Sequence, residues 1–245
     1  RAAAMRSGQR VAAVAIVGRA CVLPGALSPE ALWQAVVDGR DLTTSANDAE
    51  CRPWVRATGA LPGASRDETE SAGQPLRGTR GLPEARGGYV EVVEAVWDPC
   101  GFLVEPEQLA GLDPLVHWVL HCAREALGQV EGERPDQSGP TRATRIGAIL
   151  GNLGFPSESM AAYADQAWTG RGDIDPRNRH MSGGTAAIRA PALGLDAGSY
   201  CLDAACASSL YALKLACDQL IDGSADLMLA GAVQRADPLF LQKGF

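Results

Sequence analysis

Tyr200-Cys201-Leu202-Asp203-Ala204-Ala205-Cys206-Ala207-Ser208-Ser209-Leu210 is the stretch on which the reading of this chain turns. Tyr200 to Asp203 is short and predicts a strand. Ala204 and Ala205 are small enough for a tight turn. From Cys206 to Ile221 a helix is expected, with Leu210, Leu213, Cys217, Leu220 and Ile221 on its buried side and Gly223 ending it. A cysteine thus stands where a strand hands over to a helix. The first backbone N–H groups of a helix have no partner within it and point toward that position. With the helix dipole they favour negative charge there, so a thiolate is stabilised. Small neighbours on both sides leave room for a substrate to reach the sulfur, the geometry of a nucleophile elbow. A cysteine is also a common small core residue, and the local pattern alone leaves both readings open.

Working outward, Ala225 to Val233 reads as the next strand and Arg145 to Gly151 as an earlier one. Val11 to Val17 is a valine-rich run ending at Gly18, expected to be a strand buried on both faces. A helix follows, with Ser28 as N-cap, Pro29 in its first turn, Gly39 past its end and an apolar stripe of Leu32, Trp33, Val36 and Val37. Asp113 caps a second helix that begins with Pro114 and runs to about Val130, with Leu115, Val119, Cys122 and Leu127 at roughly helical spacing. Ser157 begins a third. Met181 to Leu193 is expected to be partly helical and interrupted by Pro191. Residues 43–88 are rich in Gly, Pro, Ser, Arg and Thr and read as a long loop-rich excursion, with Gly88 to Trp97 resuming as an exposed strand. Strands alternating with helices imply an α/β fold with a mostly parallel sheet flanked by helices. Residues 1–10 read as disordered or linker and 11–245 as one incomplete domain, with no internal repeat.

Bulk properties set the outer bounds. Of 245 residues, 46% are hydrophobic and 21% charged, an ordinary globular composition. The net charge of -7 argues against nucleic acid as a partner. Arg6 and Arg10 before the apolar run faintly resemble a signal peptide, but the run is short and Arg19 falls where cleavage requires a small neutral residue. No stretch reaches the length of a membrane span. Seven cysteines, irregularly spaced and without a CxxC pair, fit a reducing, cytoplasmic setting and no zinc ribbon. The glycine-rich stretches contain no phosphate-binding or dinucleotide fingerprint, so no directly bound cofactor is expected.

Other residues compete for a chemical role. His117 and His121 are four apart and share a helical face, but no third metal ligand is apparent, so no metal is expected. His180 follows Arg177-Asn178-Arg179 in a polar loop and could serve Cys206 as the base of a cysteine hydrolase; surface histidine is the plainer reading. Asp203 is expected to stabilise the turn. Cys201 and Cys217 read as packed residues.

Asp203-Ala204-Ala205-Cys206-Ala207-Ser208-Ser209-Leu210 resembles the active-site signature of the β-ketoacyl synthases of polyketide and fatty acid synthases, where Asp-Thr-Ala-Cys-Ser-Ser-Ser-Leu is common. Further motifs resemble the family in its order along the chain: Val14 to Gly18 with Cys21 and Pro24-Gly25, Leu32-Trp33, Gly39-Arg40-Asp41, Leu112-Asp113-Pro114 leading into His121 to Leu127, and Leu227 to Val233. The variant with Ala204 and Ala207 looks most like synthases of bacterial polyunsaturated fatty acid assembly lines. The resemblance implies the N-terminal half of a thiolase-like fold, usually dimeric. It implies an acyltransferase in which Cys206 takes an acyl chain from the phosphopantetheine arm of an acyl carrier protein. The acyl group is then condensed with a decarboxylated malonyl unit, and the Cys206 N–H contributes to the oxyanion hole. The two histidines that serve decarboxylation and condensation in the family have no counterpart motif up to Phe245, so the chain alone is expected to be inactive and to need its own C-terminal half. Without that half it is expected to expose apolar surface and be poorly soluble. A non-catalytic partner resembling the chain-length-controlling subunits is the alternative; those generally lack the cysteine.

Overall fold

The computed structural model describes residues 13–45, 86–90, 96–130, 145–155, 157–179 and 183–235. It divides into two compact units, residues 1–20 with 96–235 and residues 21–95 with 236–245.

In the smaller unit, helix α1 (Pro29–Val37) starts as its sequence requires. Ser28 Oγ accepts the Ala31 N–H at 3.1 Å and Pro29 occupies the first turn. The expected apolar stripe is not its buried side: Ala35 is buried while Trp33, Val36 and Val37 are exposed. Strands β1 (Thr44–Ser45) and β2 (Arg86–Gly87) pair antiparallel, Thr44 opposite Gly87. They bring together the two ends of the loop-rich excursion, whose residues 46–85 lie outside the described set. The strand expected from Gly88 to Trp97 is not seen at 88–90. Residues 91–95 are outside the described set, and Trp97 packs into the core of the larger unit.

The larger unit is built on three parallel strands, β3 (Ile146–Asn152), β4 (Ser199–Leu202) and β5 (Leu227–Val233), in the order β4-β3-β5. Leu150 of β3 faces Cys201 on one side and Gly231 on the other. The central strand is the most buried, with Ala148 and Ile149 fully enclosed, as expected for parallel strands covered by helices. Between β3 and β4 the chain forms α4 (Glu158–Thr169), a 3-10 turn at Pro176–Arg179 and α5 (Gly183–Leu193). Between β4 and β5 it forms α6 (Ser208–Ile221), which packs on β3 and β5. Ahead of the sheet, α2 (Pro106–Leu109) and α3 (Pro114–Gly128) join α5 around a core of Leu109, Leu112, Val116, Leu120 and Ala192, with Trp97 and Phe102 against it.

Three sequence expectations fail here for physical reasons. The side of α6 that meets the sheet is Ser208, Ala212 and Ala216, at i, i+4 and i+8, not the side carrying the large apolar residues. Leu210, Leu213 and Ile221 are exposed, and Cys217 and Leu220 are half-buried. Small residues let a helix axis approach a sheet closely, and that gain in contact wins. Second, residues 13–17 form no strand, and Ile16 is 85% exposed. An extended run needs a ladder partner, and none of the described strands pairs with it. Its continuation runs beside the end of α3, where Gln129 exchanges hydrogen bonds with the Arg19 backbone and any Cβ at Gly18 would collide with the Ala126 carbonyl. Third, α5 continues through Pro191 to Leu193. Only one ladder bond is lost there, and the Ala190 and Ala192 carbonyls are taken by the N–H groups of Leu195 and Leu103.

Candidate active site

The turn that carries Cys206 lies at the carboxyl ends of the strands. β4 stops at Leu202, Asp203 opens the turn, and residues 205–207 form a single 3-10 turn before α6 begins at Ser208. Cys206 therefore sits two residues ahead of the α-helix rather than in its first turn, and it is exposed. Ala205, the residue before it, has φ +50°, the left-handed conformation that costs an alanine on the order of 1 kcal/mol. It is the one non-glycine with positive φ among the described residues.

Three devices hold this strained turn. The Asp203 carboxylate accepts the Ala205 N–H on Oδ1 and the Gly154 N–H on Oδ2, each at 2.9 Å. Those two backbone bonds, that from Ala205 first, hold its carboxyl below the usual range. Ser208, buried at the start of α6, accepts the Ala204 N–H at 2.9 Å and donates to the Ala205 carbonyl at 2.7 Å. Gly151, at the end of β3, lets the helix start close against the strand: a Cβ there would lie 2.7 Å from the carbonyl carbon and Cβ of Ser208. Ser208, Gly151 and Gly154 were not picked out from sequence. The signal that could have found them is the pair of glycines in Gly151-Asn152-Leu153-Gly154 directly after a buried strand.

A second polar knot stands at the same end of the sheet. Asp113, buried, caps α3 by accepting the Leu115 N–H at 2.8 Å. Its other oxygen accepts the Ser157 hydroxyl at 2.5 Å and the Ser159 N–H at 3.3 Å. Ser157 thus occupies the N-cap position of α4 while its hydroxyl serves Asp113. Asn178 takes the Asp113 N–H at 2.9 Å and donates to the Gly111 carbonyl at 2.8 Å. Arg235, just past β5, lies 3.7 Å from Asp113. The segments following β3 and β5 are in this way tied to the start of α3.

Among the described residues the other candidates have partners of their own away from Cys206. His117 Nε2 lies 3.0 Å from the Leu109 carbonyl, and its ring stacks on Trp97 at 4.5 Å. Burial pushes His121 below the ordinary imidazole range. Among the described residues no group of three His, Cys, Asp or Glu could hold a metal ion. His180 lies outside the described residues. Cys201 is half-buried in β4 and burial raises its thiol, while Arg189, enclosed beneath the sheet, donates to Ser199 Oγ at 2.8 Å and is lowered by burial to about 10. Cys201, Cys206 and Cys217 are all free thiols. No helix among the described residues is long and apolar enough to cross a membrane.

A family profile described as the N-terminal domain of β-ketoacyl synthase matches residues 12–239. The chain belongs to the β-ketoacyl synthase family. Its curated relatives include the mycoketide-CoA synthase of Mycobacterium tuberculosis, 32% identical over 90% of this chain and 5% of that protein. The PKS-NRPS hybrid synthetase acdB of Aspergillus candidus is 31% identical over 90% of the chain and 8% of its own length. Among solved structures, the PfaC keto synthase-chain length factor aligns with a TM-score of 0.69 at 32% identity, over 94% of this chain and 25% of that one. The oxazolomycin ketosynthase domain of Streptomyces albus aligns at 0.66 and 25% identity, over 94% and 36%. The ketosynthase domain thus has the thiolase-like fold, and it spans only a small part of the polyketide synthases it matches.

Proposed function

We propose that Cys206 is the acyl-accepting nucleophile of a β-ketoacyl synthase acting in a polyketide or polyunsaturated fatty acid synthase. The observation that carries this reading is one exposed thiol at a strand–turn–helix junction, inside the Asp-Ala-Ala-Cys segment, in a chain of this family. The Cys206 thiolate attacks the thioester carbonyl of an acyl group on the phosphopantetheine arm of a carrier protein. The carbonyl carbon–sulfur bond to the carrier breaks, the carrier leaves as its thiolate and is protonated by water, and the acyl group stays on Cys206. The Cys206 N–H supports the transient oxyanion. A malonyl thioester then loses carbon dioxide, and its carbanion attacks the acyl-cysteine, forming the carbon–carbon bond and releasing the thiolate.

Decarboxylation and proton transfer in this scheme fall to two histidines of the C-terminal half, which the reading places elsewhere in the complete synthase. The partners it implies are the acyl carrier protein, the C-terminal half and a second copy of the domain, in the cytoplasm. Retention of Cys206 separates the chain from a non-catalytic chain-length-controlling partner. The test is to incubate the full-length protein with a radiolabelled acyl thioester and map the label by peptide. The label is expected on the Cys206 peptide, and Cys206→Ala is expected to lower loading by about 10³-fold or more. Equal labelling of the Cys206→Ala protein would overturn the assignment.

A further inference from the structure

We propose that Asp203 is a positioning residue for the nucleophile, a strap that ties the turn carrying Cys206 to the loop leaving β3. The inference rests on the reading of Cys206 as nucleophile and goes beyond it by assigning how the thiol is held. The single carboxylate spans two segments far apart in sequence, with one oxygen on the Ala205 N–H and the other on the Gly154 N–H. Ala205 is the strained residue, and it directly precedes Cys206. An alanine released from its partner relaxes out of the left-handed region, so the bond from Ala205 to Asp203 fixes the direction in which the next residue leaves the turn. The second bond makes the anchor rigid, because Gly154 follows the most buried strand of the sheet. Asp203 is itself exposed, so its contribution is assigned to these two bonds and not to core burial.

The chemistry of the pair explains why a carboxylate is suited to the position. Both partners are donors, and only an acceptor at each end serves both. Asparagine offers one acceptor and one N–H₂, which would meet a backbone N–H donor to donor. Asp203→Asn is therefore expected to free either Gly154 or Ala205. Glycine at 205 adopts the same φ without strain, so it should make the strap less necessary.

The test is made on the full-length protein with Asp203→Asn, Ala205→Gly and the double variant. Acyl loading rate, the KM for acyl carrier protein and the alkylation rate of Cys206 by iodoacetamide are measured on each. Asp203→Asn is expected to slow acyl loading by about tenfold to a hundredfold, as small misplacements of a reacting group do, with the KM for carrier protein unchanged. Ala205→Gly alone is the reference for the double variant, which should load within about twofold of it and so recover most of the loss caused by Asp203→Asn. A merely structural role for Asp203 would give no such recovery. Loading by Asp203→Asn at the parental rate, or a double variant as slow as Asp203→Asn, overturns the proposal. If Asp203→Asn fails to fold, Asp203→Ser, which likewise keeps a single acceptor atom, is compared with and without Ala205→Gly. Alkylation of Cys206 does not depend on acyl chemistry. If Cys206→Ala still loads acyl groups, the nucleophile reading fails, while the order of alkylation rates among the Asp203 and Ala205 variants still decides whether the strap holds this thiol.

Discussion

Replacing Gly151 by alanine is expected to lift the start of α6 from the sheet and to slow acyl loading of Cys206 at the same time. The added Cβ would lie 2.7 Å from the carbonyl carbon and the Cβ of Ser208, and 2.9 Å from its oxygen. Two of these atoms are backbone, so the obstruction cannot swing aside as the end of a long side chain would. Ser208 is also the residue whose hydroxyl closes the turn onto Ala204 and Ala205, so displacing it strains both bonds. Overpacking of this kind costs about 1–3 kcal/mol, and with a backbone obstacle the upper end is expected. Hydrogen exchange followed by mass spectrometry on peptides of β3 and α6 should show protection falling by that amount. Gly231→Ala is the control: its nearest neighbour would be Leu150 Cδ2 at 3.6 Å, ordinary contact. Parental protection and loading in Gly151→Ala would show that the helix start is not set by this contact.

Asp113→Ala is expected to cost about 3 kcal/mol locally, the largest loss away from the turn at Cys206. Removing the N-cap acceptor of α3 costs about 1 kcal/mol. The Ser157 hydroxyl and the Ser159 N–H then lose their acceptor in a site where Asp113 is only 5% exposed, and each buried donor left unpaired adds about 1–3 kcal/mol before relaxation. Arg235 loses one of its two carboxylate partners, at 3.7 Å, and keeps Glu158 at 3.5 Å. Asp113→Asn keeps one acceptor and should lose about half as much. The measurement is exchange protection of the peptide covering α3 and of the peptide that starts α4. Both should loosen, because one carboxylate serves both helix starts. Loosening confined to α3 would mean that the bonds to Ser157 and Ser159 contribute little.

What could be read in advance divides along the line between local and distant causes. The three strands of the sheet, the Asp113 and Ser28 caps and the turn at Cys206 depend on neighbours within a few residues, and each could be read from spacing and side-chain type. The family could be read from the segment Asp203 to Leu210 and from the order of weaker motifs around it. The burial of α6 could not. Its sequence offers two faces, one of large apolar residues and one of Ser208, Ala212 and Ala216, and periodicity favours the first. Only the closeness of β3, set partly by Gly151, decides for the second. The same holds for Val11 to Val17, whose valines suit a strand but cannot supply the neighbouring strand a ladder requires. The strap from Asp203 to Gly154 and the bond from Ser157 to Asp113 join residues 49 and 44 positions apart, beyond the reach of any local pattern.

The short antiparallel clasp of Thr44–Ser45 with Arg86–Gly87 has a consequence for the length of chain between them. Where the two ends of a segment are pinned side by side, the entropy of closing it grows only with the logarithm of its length, about 0.6 kcal/mol per doubling. A change in the number of residues between Ser45 and Arg86 is therefore expected to alter this closure term by less than about 0.6 kcal/mol short of a doubling, provided the clasp is kept.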